Sequence, residues 1–320
     1  MTNKYILLLS TIVIFTSLTL YAKDIEPTFI LKSKGFVNDF VFDEGKLYVA
    51  NDEGSVEVFD LSTQELVDEI FIDPIYTTKL EWQNSRILSV DRRAGKTLLV
   101  SNAKGPFRNV WLHDGKTLKH IIKVADKMPI KEARFITDNK FLFGTLGYEM
   151  ILYTASDSYN SYTSHLEQSS FSDLELSEDK KTMVTASESG RVIVSDVKTG
   201  QMIKKLPVLN LDKVYQLSYR NGNIITGGED RKVGVYPKDG KPYFIKSEFL
   251  VYSVGLTPSG KIGVYSCDEH STLQLFDVET GEKKDKLFGL YAIPTTLKFY
   301  DEHGLFSAGY ENKIFYWRID

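Results

Sequence analysis

Five histidines, at positions 113, 120, 165, 270 and 303, and a single cysteine, Cys267, are where a search for metal or nucleophilic chemistry begins in this chain. No two histidines stand at metal-ligand spacing, and the chain has no Cys-x-x-Cys and no Cys-x-x-Cys-His for haem attachment. The pattern therefore predicts no metal site and no cofactor. A Gly-x-Ser-x-Gly elbow is absent, and Ser187-Glu-Ser-Gly190 reads as a hairpin. Gly227-Gly-Glu-Asp230 lacks the Lys-Ser/Thr of a phosphate loop. Asp52-Glu-Gly54 and Asp268-Glu269 lack the twelve-residue calcium pattern and read as turn formers. Cys267 follows the strand-like run Ile262-Gly-Val-Tyr-Ser266 where other repeats carry Ala186 or Gly228, so it reads as a small buried filler. What remains is a set of carboxylates, Asp39, Glu132 and Asp173, and a set of aromatics near lysines. Their meaning depends on the elements that carry them.

Those elements repeat. Val56-Glu-Val-Phe-Asp60, Val192-Ile-Val-Ser-Asp196, Val233-Gly-Val-Tyr236, Leu273-Gln-Leu-Phe-Asp277 and Ile314-Phe-Tyr-Trp317 are copies of one phrase. Thr97-Leu-Leu-Val100 and Met150-Ile-Leu-Tyr153 read as two weaker copies, giving intervals of 41, 53, 42, 41, 40 and 41. A period near 40–45 marks the blade of a β-propeller, with this phrase as the third of four strands. Alternate apolar residues mark the inner strands: Phe40 and Phe42, Leu80 and Trp82, Ala133 and Phe135, Leu174 and Leu176, Leu217 and Tyr219, Val254 and Leu256, Leu297 and Phe299. Asp43-Glu-Gly45, Asn221-Gly222 and Pro258-Ser-Gly260 supply the turns. The expected fold is all-β: a seven-bladed propeller over residues 23–320. The chain stops after a third strand, and Thr28 to Ser33 offers the missing outer strand, which would close the ring in the last blade.

Residues 1–22 read as a secretory signal peptide, with Lys4, an apolar stretch from Tyr5 to Leu20, and Ala22 before the cut. No cysteine follows that stretch, which excludes a lipid anchor on the signal, and no second apolar run follows it. The expected location is the periplasm, with no stable membrane insertion after cleavage. A net charge of −4 and a pI near 5.8 argue against a nucleic-acid footprint.

The carboxylates can now be placed. Asp39, Glu132 and Asp173 stand near the starts of inner strands, where a sugar- or lactone-cleaving propeller gathers acids at its channel. Lys79 and Lys131 stand at or beside equivalent positions, and the mixed signs read as solvated charges at the channel mouth. A channel-mouth hydrolase or lactonase remains the alternative reading. Phe36, Asn38, Tyr76, Lys131, Lys213, Tyr215 and Tyr252 lie just before or at the starts of inner strands, positions that reach one face of the disc. Aromatics among polar groups suit a partner-binding surface. The long interval places about twelve extra residues within Asn102 to Met128, adding Phe107, Arg108 and Trp111 to the candidate partner-binding set.

On the residues Val56 to Asp60, Val192 to Asp196, Leu273 to Asp277 and Trp317-Arg318, the repeats resemble WD40 repeats, although no Gly-His pair and no Trp-Asp dipeptide is present. With its leader and divergent repeats, the chain is also similar to the exported WD40-type accessory proteins encoded beside bacterial periplasmic nitrate reductases. That resemblance implies a non-catalytic, monomeric helper. It would bind a periplasmic protein, such as a molybdenum reductase subunit, in maturation or electron supply.

Overall fold

The computed structural model describes residues 23–77 and 79–319, so the leader predicted over 1–22 lies outside the described residues. The described chain is built of strands, with one 3₁₀ turn at Val124–Asp126. They form seven antiparallel blades and a two-stranded hairpin. Blade one runs Val37–Asp43, Lys46–Asn51, Ser55–Asp60 and Leu66–Phe71, in that order from the inside outward. The inner strands of blades two to seven are Ile87–Arg93, Ile130–Phe135, Phe171–Leu176, Val214–Arg220, Val254–Leu256 and Pro294–Phe299.

There is no single central core. Seven apolar clusters each fill the wedge between two adjacent blades. Leu98, Val100 and Val110 of blade two meet Phe135, Phe141 and Phe143 of blade three, for example. Cys267 is buried in the wedge between blades five and six, as its small size suggested, and burial pushes its thiol up to about 12. The aspartate that closes the repeated phrase builds the next turn. Asp60, Asp114, Asp196 and Asp277 each accept a backbone N–H bond, from Ser62 (2.8 Å), Thr117 (2.9 Å), Thr199 (2.7 Å) and Thr280 (2.9 Å).

Blade two corrects the sequence reading. Thr97 to Val100 belongs to the second strand, Lys96–Asn102, and the third strand is Arg108–His113. Leu80 and Trp82 are not on an inner strand. They belong to the extra hairpin, in which Ile75–Tyr76 pairs with Trp82–Gln83 between blades one and two. The insertion is this hairpin, and the segment from Asn102 to Met128 is ordinary blade. The misreading arose because a fully buried second strand is as apolar as a third strand, so hydropathy alone could not separate them.

The ring closes as expected. Phe29–Lys32 pairs with the strand Lys313–Arg318 in blade seven, Leu31 is buried, and Phe29 stacks on Tyr316 at 4.6 Å. Unforeseen is a second clasp: Asp24–Ile25 adds a parallel fifth strand to blade six, against Lys286 and Leu287. Residues 23–33 therefore staple two blades. Deleting them should lower unfolding free energy by on the order of 5 kcal/mol, from several backbone hydrogen bonds at about 1 kcal/mol each plus lost apolar burial. Urea denaturation checks this, and an unchanged midpoint would contradict the closure.

Candidate functional site

Strand direction sorts the loops onto two faces. Inner strands begin on one face and second strands return to it, so the loops between blades and the second-to-third loops share that face. The other face carries the inner-to-second and third-to-outer turns. Exposed apolar side chains divide unevenly between the faces. Phe36, Tyr76, Leu80, Trp82, Leu146, Leu211, Tyr291 and Tyr310 are exposed in loops of the strand-start face. On the opposite face Tyr300 is exposed in a turn, and Leu66, Tyr159 and Met202 are exposed where outer strands leave theirs.

At the centre of the strand-start face is the mouth of the axial channel, a cavity of about 390 Å³. Its lining comes in consecutive pairs: Asn38 with Asp39, Lys131 with Glu132, Ser172 with Asp173, Tyr215 with Gln216, and Thr295 with Thr296. In a regular strand only one of two neighbours would face the axis. Here each of these five inner strands has a register shift at that point, and such a bulge re-aims the extra side chain.

The channel acids stitch blade to blade. Asp39 accepts the Val90 N–H at 3.0 Å, Asp91 the Phe135 N–H at 2.7 Å, and Asp173 the Leu217 N–H at 2.7 Å. Gln216 and Ser218 do the same for Val254 and Leu256, at 3.0 and 3.1 Å. Cations answer them. Lys298 donates to Asp39 (2.8 Å) and to the Phe40 carbonyl (2.6 Å). Arg134 bonds Ser89 (2.8 Å) and Glu132 (3.2 Å), and Arg220 bonds Glu175 (3.0 Å).

The electrostatics follow from this pairing. Burial alone would raise the Asp39 carboxyl, but Lys298 and Arg134 outweigh it and hold the group below its ordinary value. Burial raises Asp91 and Asp173. Glu132, buried and facing the Asp173 charge, is pushed up to about 8 against the opposing pull of Arg134 and Lys131. The three acids foreseen at the channel do converge there, with oxygens engaged by N–H groups or cations.

The predicted partner-binding residues divide into three groups. Asn38, Lys131, Tyr215 and Arg108 share the channel cavity. Asn38 donates to the Ile87 carbonyl at 2.8 Å, and Lys131 donates to that of Ser172. Phe36, Lys213 and Tyr252 sit at the rim. Asp52 accepts the Phe36 N–H at 2.7 Å, Tyr252 packs on Tyr215 with centroids 4.9 Å apart, and Lys213 pairs with Glu188 at 2.7 Å. Burial, then the nearby Glu229, raises the Tyr215 phenol to about 12. Tyr76 is on the hairpin, edge-on to Trp82 at 5.4 Å, and Lys79 lies in its turn, so neither is at the channel mouth. Phe107 is half-buried in a second-to-third loop of the same face. Trp111 is no loop residue: it stacks on His120 at 3.4 Å within the sheet of blade two and donates to Ser101 at 3.0 Å. Sequence reasoning missed Arg134, Lys298, Ser172 and Glu175. The first two and Glu175 lie two residues beyond channel positions on their strands, and that spacing was the available signal.

No protein-family model matches the chain, and no curated protein matches it. Among solved structures it is similar to the β-propeller domain of Myceliophteria thermophila Cps50 (Swd1). The TM-score is 0.72 and the identity 14%, over 92% of this chain and 99% of that one. At that identity the likeness shows the fold, a β-propeller, and no more.

The raised Glu132 carboxyl has a consequence for stability. Its unfolded form ionises near 4.5, whereas the folded form keeps the proton to about 8, so folding takes up a proton in between. Stability is therefore highest below the unfolded value and falls as pH rises through that window. Glu132→Gln should remove the dependence, making the variant more stable relative to the parent at pH 8 than at pH 5. The expected difference is on the order of 2 kcal/mol, read by urea denaturation at the two pH values. Parallel curves for parent and variant would refute the assignment.

Proposed function

We propose that this protein is an exported, non-catalytic interaction scaffold that grips another protein with its strand-start face. The carrying observation is the asymmetry between faces. Apolar side chains, including Leu80 at 75%, Trp82 at 71% and Tyr310 at 67% exposure, crowd the loops of one side. Aromatics of this kind supply most of the contact energy in protein interfaces. A propeller adds rigidity, since each loop is anchored in a four-stranded sheet, and a preorganised surface loses little entropy on binding.

The composition of residues 1–22 supports export, and the resemblance described above supports the periplasm as the compartment. By the same resemblance, the partner class is a periplasmic nitrate reductase or another molybdenum reductase, helped in maturation or electron supply.

Replacing Phe36, Tyr76, Trp82 and Tyr310 with Ser should cut partner capture by at least about tenfold, since interface aromatics contribute about 2 kcal/mol or more each. Tyr300→Ser, on the opposite face, should leave capture unchanged. Co-purification of a tagged, periplasm-expressed protein with the nitrate reductase reads the result, with circular dichroism to confirm folding. Normal capture by the folded quadruple variant would discard this face. Mass spectrometry of the exported form should find residues 1–22 removed.

A further inference from the structure

The channel mouth offers a guest more donors than acceptors. Its acceptors are largely taken. The two oxygens of Asp39 receive N–H bonds from Phe40 (2.8 Å) and Val90 (3.0 Å), the former oxygen also receiving Lys298. Those of Asp173 receive Leu174 (3.0 Å) and Leu217 (2.7 Å). Glu132 and Glu175 each have one oxygen bonded, by Arg134 and Arg220. The donors are not spent. Arg108 gives one terminal nitrogen to the carbonyls of Pro106 (2.7 Å) and Phe107 (2.9 Å), while its buried Nε has no partner. Lys131 makes one hydrogen bond, to the Ser172 carbonyl, and its ammonium lies 5.5 Å from the Phe171 ring centroid, so two of its three hydrogens have no hydrogen-bond acceptor. Ser172 is 2% exposed, lines the cavity, and has a hydroxyl with no partner. Neither Arg108 nor Lys131 forms an ion pair among the described residues.

An unpaired buried guanidinium nitrogen and an orphan buried hydroxyl are each costly. We infer that the axial mouth is a carboxylate-binding site, in which Arg108 and Lys131 hold the anionic oxygens and Ser172 donates to them. Guanidinium and ammonium groups bind carboxylates through charge-assisted hydrogen bonds, stronger than neutral ones. The apolar walls, Leu88 and Leu146, suit a short hydrocarbon stem. The volume, about 390 Å³, is that of a small-ligand pocket and holds a chain of a few carbons. The carboxylate comes from a free short-chain diacid or from a glutamate side chain presented by a docked protein.

Isothermal titration calorimetry on the full chain without its leader separates these. One arm uses succinate, the other an acetylated, amidated tripeptide with a central glutamate, and the glutamine tripeptide is the neutral control. Binding by either anion and not by the glutamine peptide supports the site, and the tighter arm names the source. Arg108→Gln and Lys131→Gln should each weaken binding by about tenfold or more. Lys313→Gln, away from the cavity, should leave it unchanged. The inference fails if neither anion binds at millimolar concentration, if the glutamine peptide binds as well, or if both folded cavity variants bind like the parent. None of these outcomes depends on whether the strand-start face captures a protein.

Discussion

Every inner strand of this ring is bonded to its own sheet on one side only. Its other edge borders the channel, where it would leave backbone N–H and C=O groups unpaired, and buried backbone groups must find partners. The ring meets this constraint with side chains. Asp39, Asp91, Asp173, Gln216 and Ser218 accept N–H bonds from the next inner strand, and Lys298 and Lys180 donate to carbonyls of another. The charged character of the channel follows from ring geometry before any ligand is considered. Carboxylates are strong acceptors, but several of them around one axis repel. Arg134 answers this by standing between Glu132, Asp39, Asp91 and Glu175, whose charges strengthen its own protonation despite burial.

That constraint also explains why three acids in a channel are a weak sign of catalysis. A hydrolytic pair needs one carboxyl free to give a proton and another free to attack or to activate water. Asp39 and Asp173 instead spend their oxygens on backbone N–H groups of their own and the neighbouring strand. The raised Glu132 would suit a proton donor, yet Arg134 holds one of its oxygens at 3.2 Å. Burial and a like charge account for its shift without a reaction.

Much of this architecture was legible in the sequence. Inner-strand alternation, the turn residues and the spare N-terminal strand predict seven blades and their closure, because each reports local pleat and turn chemistry. Blade two was misread because apolarity alone chose its phrase. A better ruler was present: Asp60, Asp114, Asp196 and Asp277 are 54, 82 and 81 residues apart, so the one excess falls between blades one and two. Those aspartates keep step because each builds the same turn. The cavity was only half legible. Asn38, Lys131 and Tyr215 were found from their place at strand starts, and Arg108 for a wrong reason, as part of an insertion that lies elsewhere. The pairing of Lys298 with Asp39 was invisible: the two are 259 residues apart in sequence, and only closure of the ring brings them together.

The bulges connect the seam to function. Each delivers two neighbouring side chains to the channel mouth, and the second of the two is the one that stitches in blades one, four and five: Asp39, Asp173 and Gln216. The first position is less uniform: Asn38 and Lys131 donate to carbonyls of the next inner strand. Ser172, Tyr215 and Thr295 make no bond to the next inner strand. Had the strands been regular, one residue per blade would have had to hold the ring and face the ligand at once. Doubling the residues separates the tasks in blades four and five, where Asp173 and Gln216 keep the ring shut and Ser172 and Tyr215 are left to face the channel. That one structural position carries Asn38, Lys131, Ser172, Tyr215 and Thr295, a mixture of seam donors and residues free of the seam. A site assembled this way draws one side chain from each of several blades, and its shape is only as fixed as the seams beneath it.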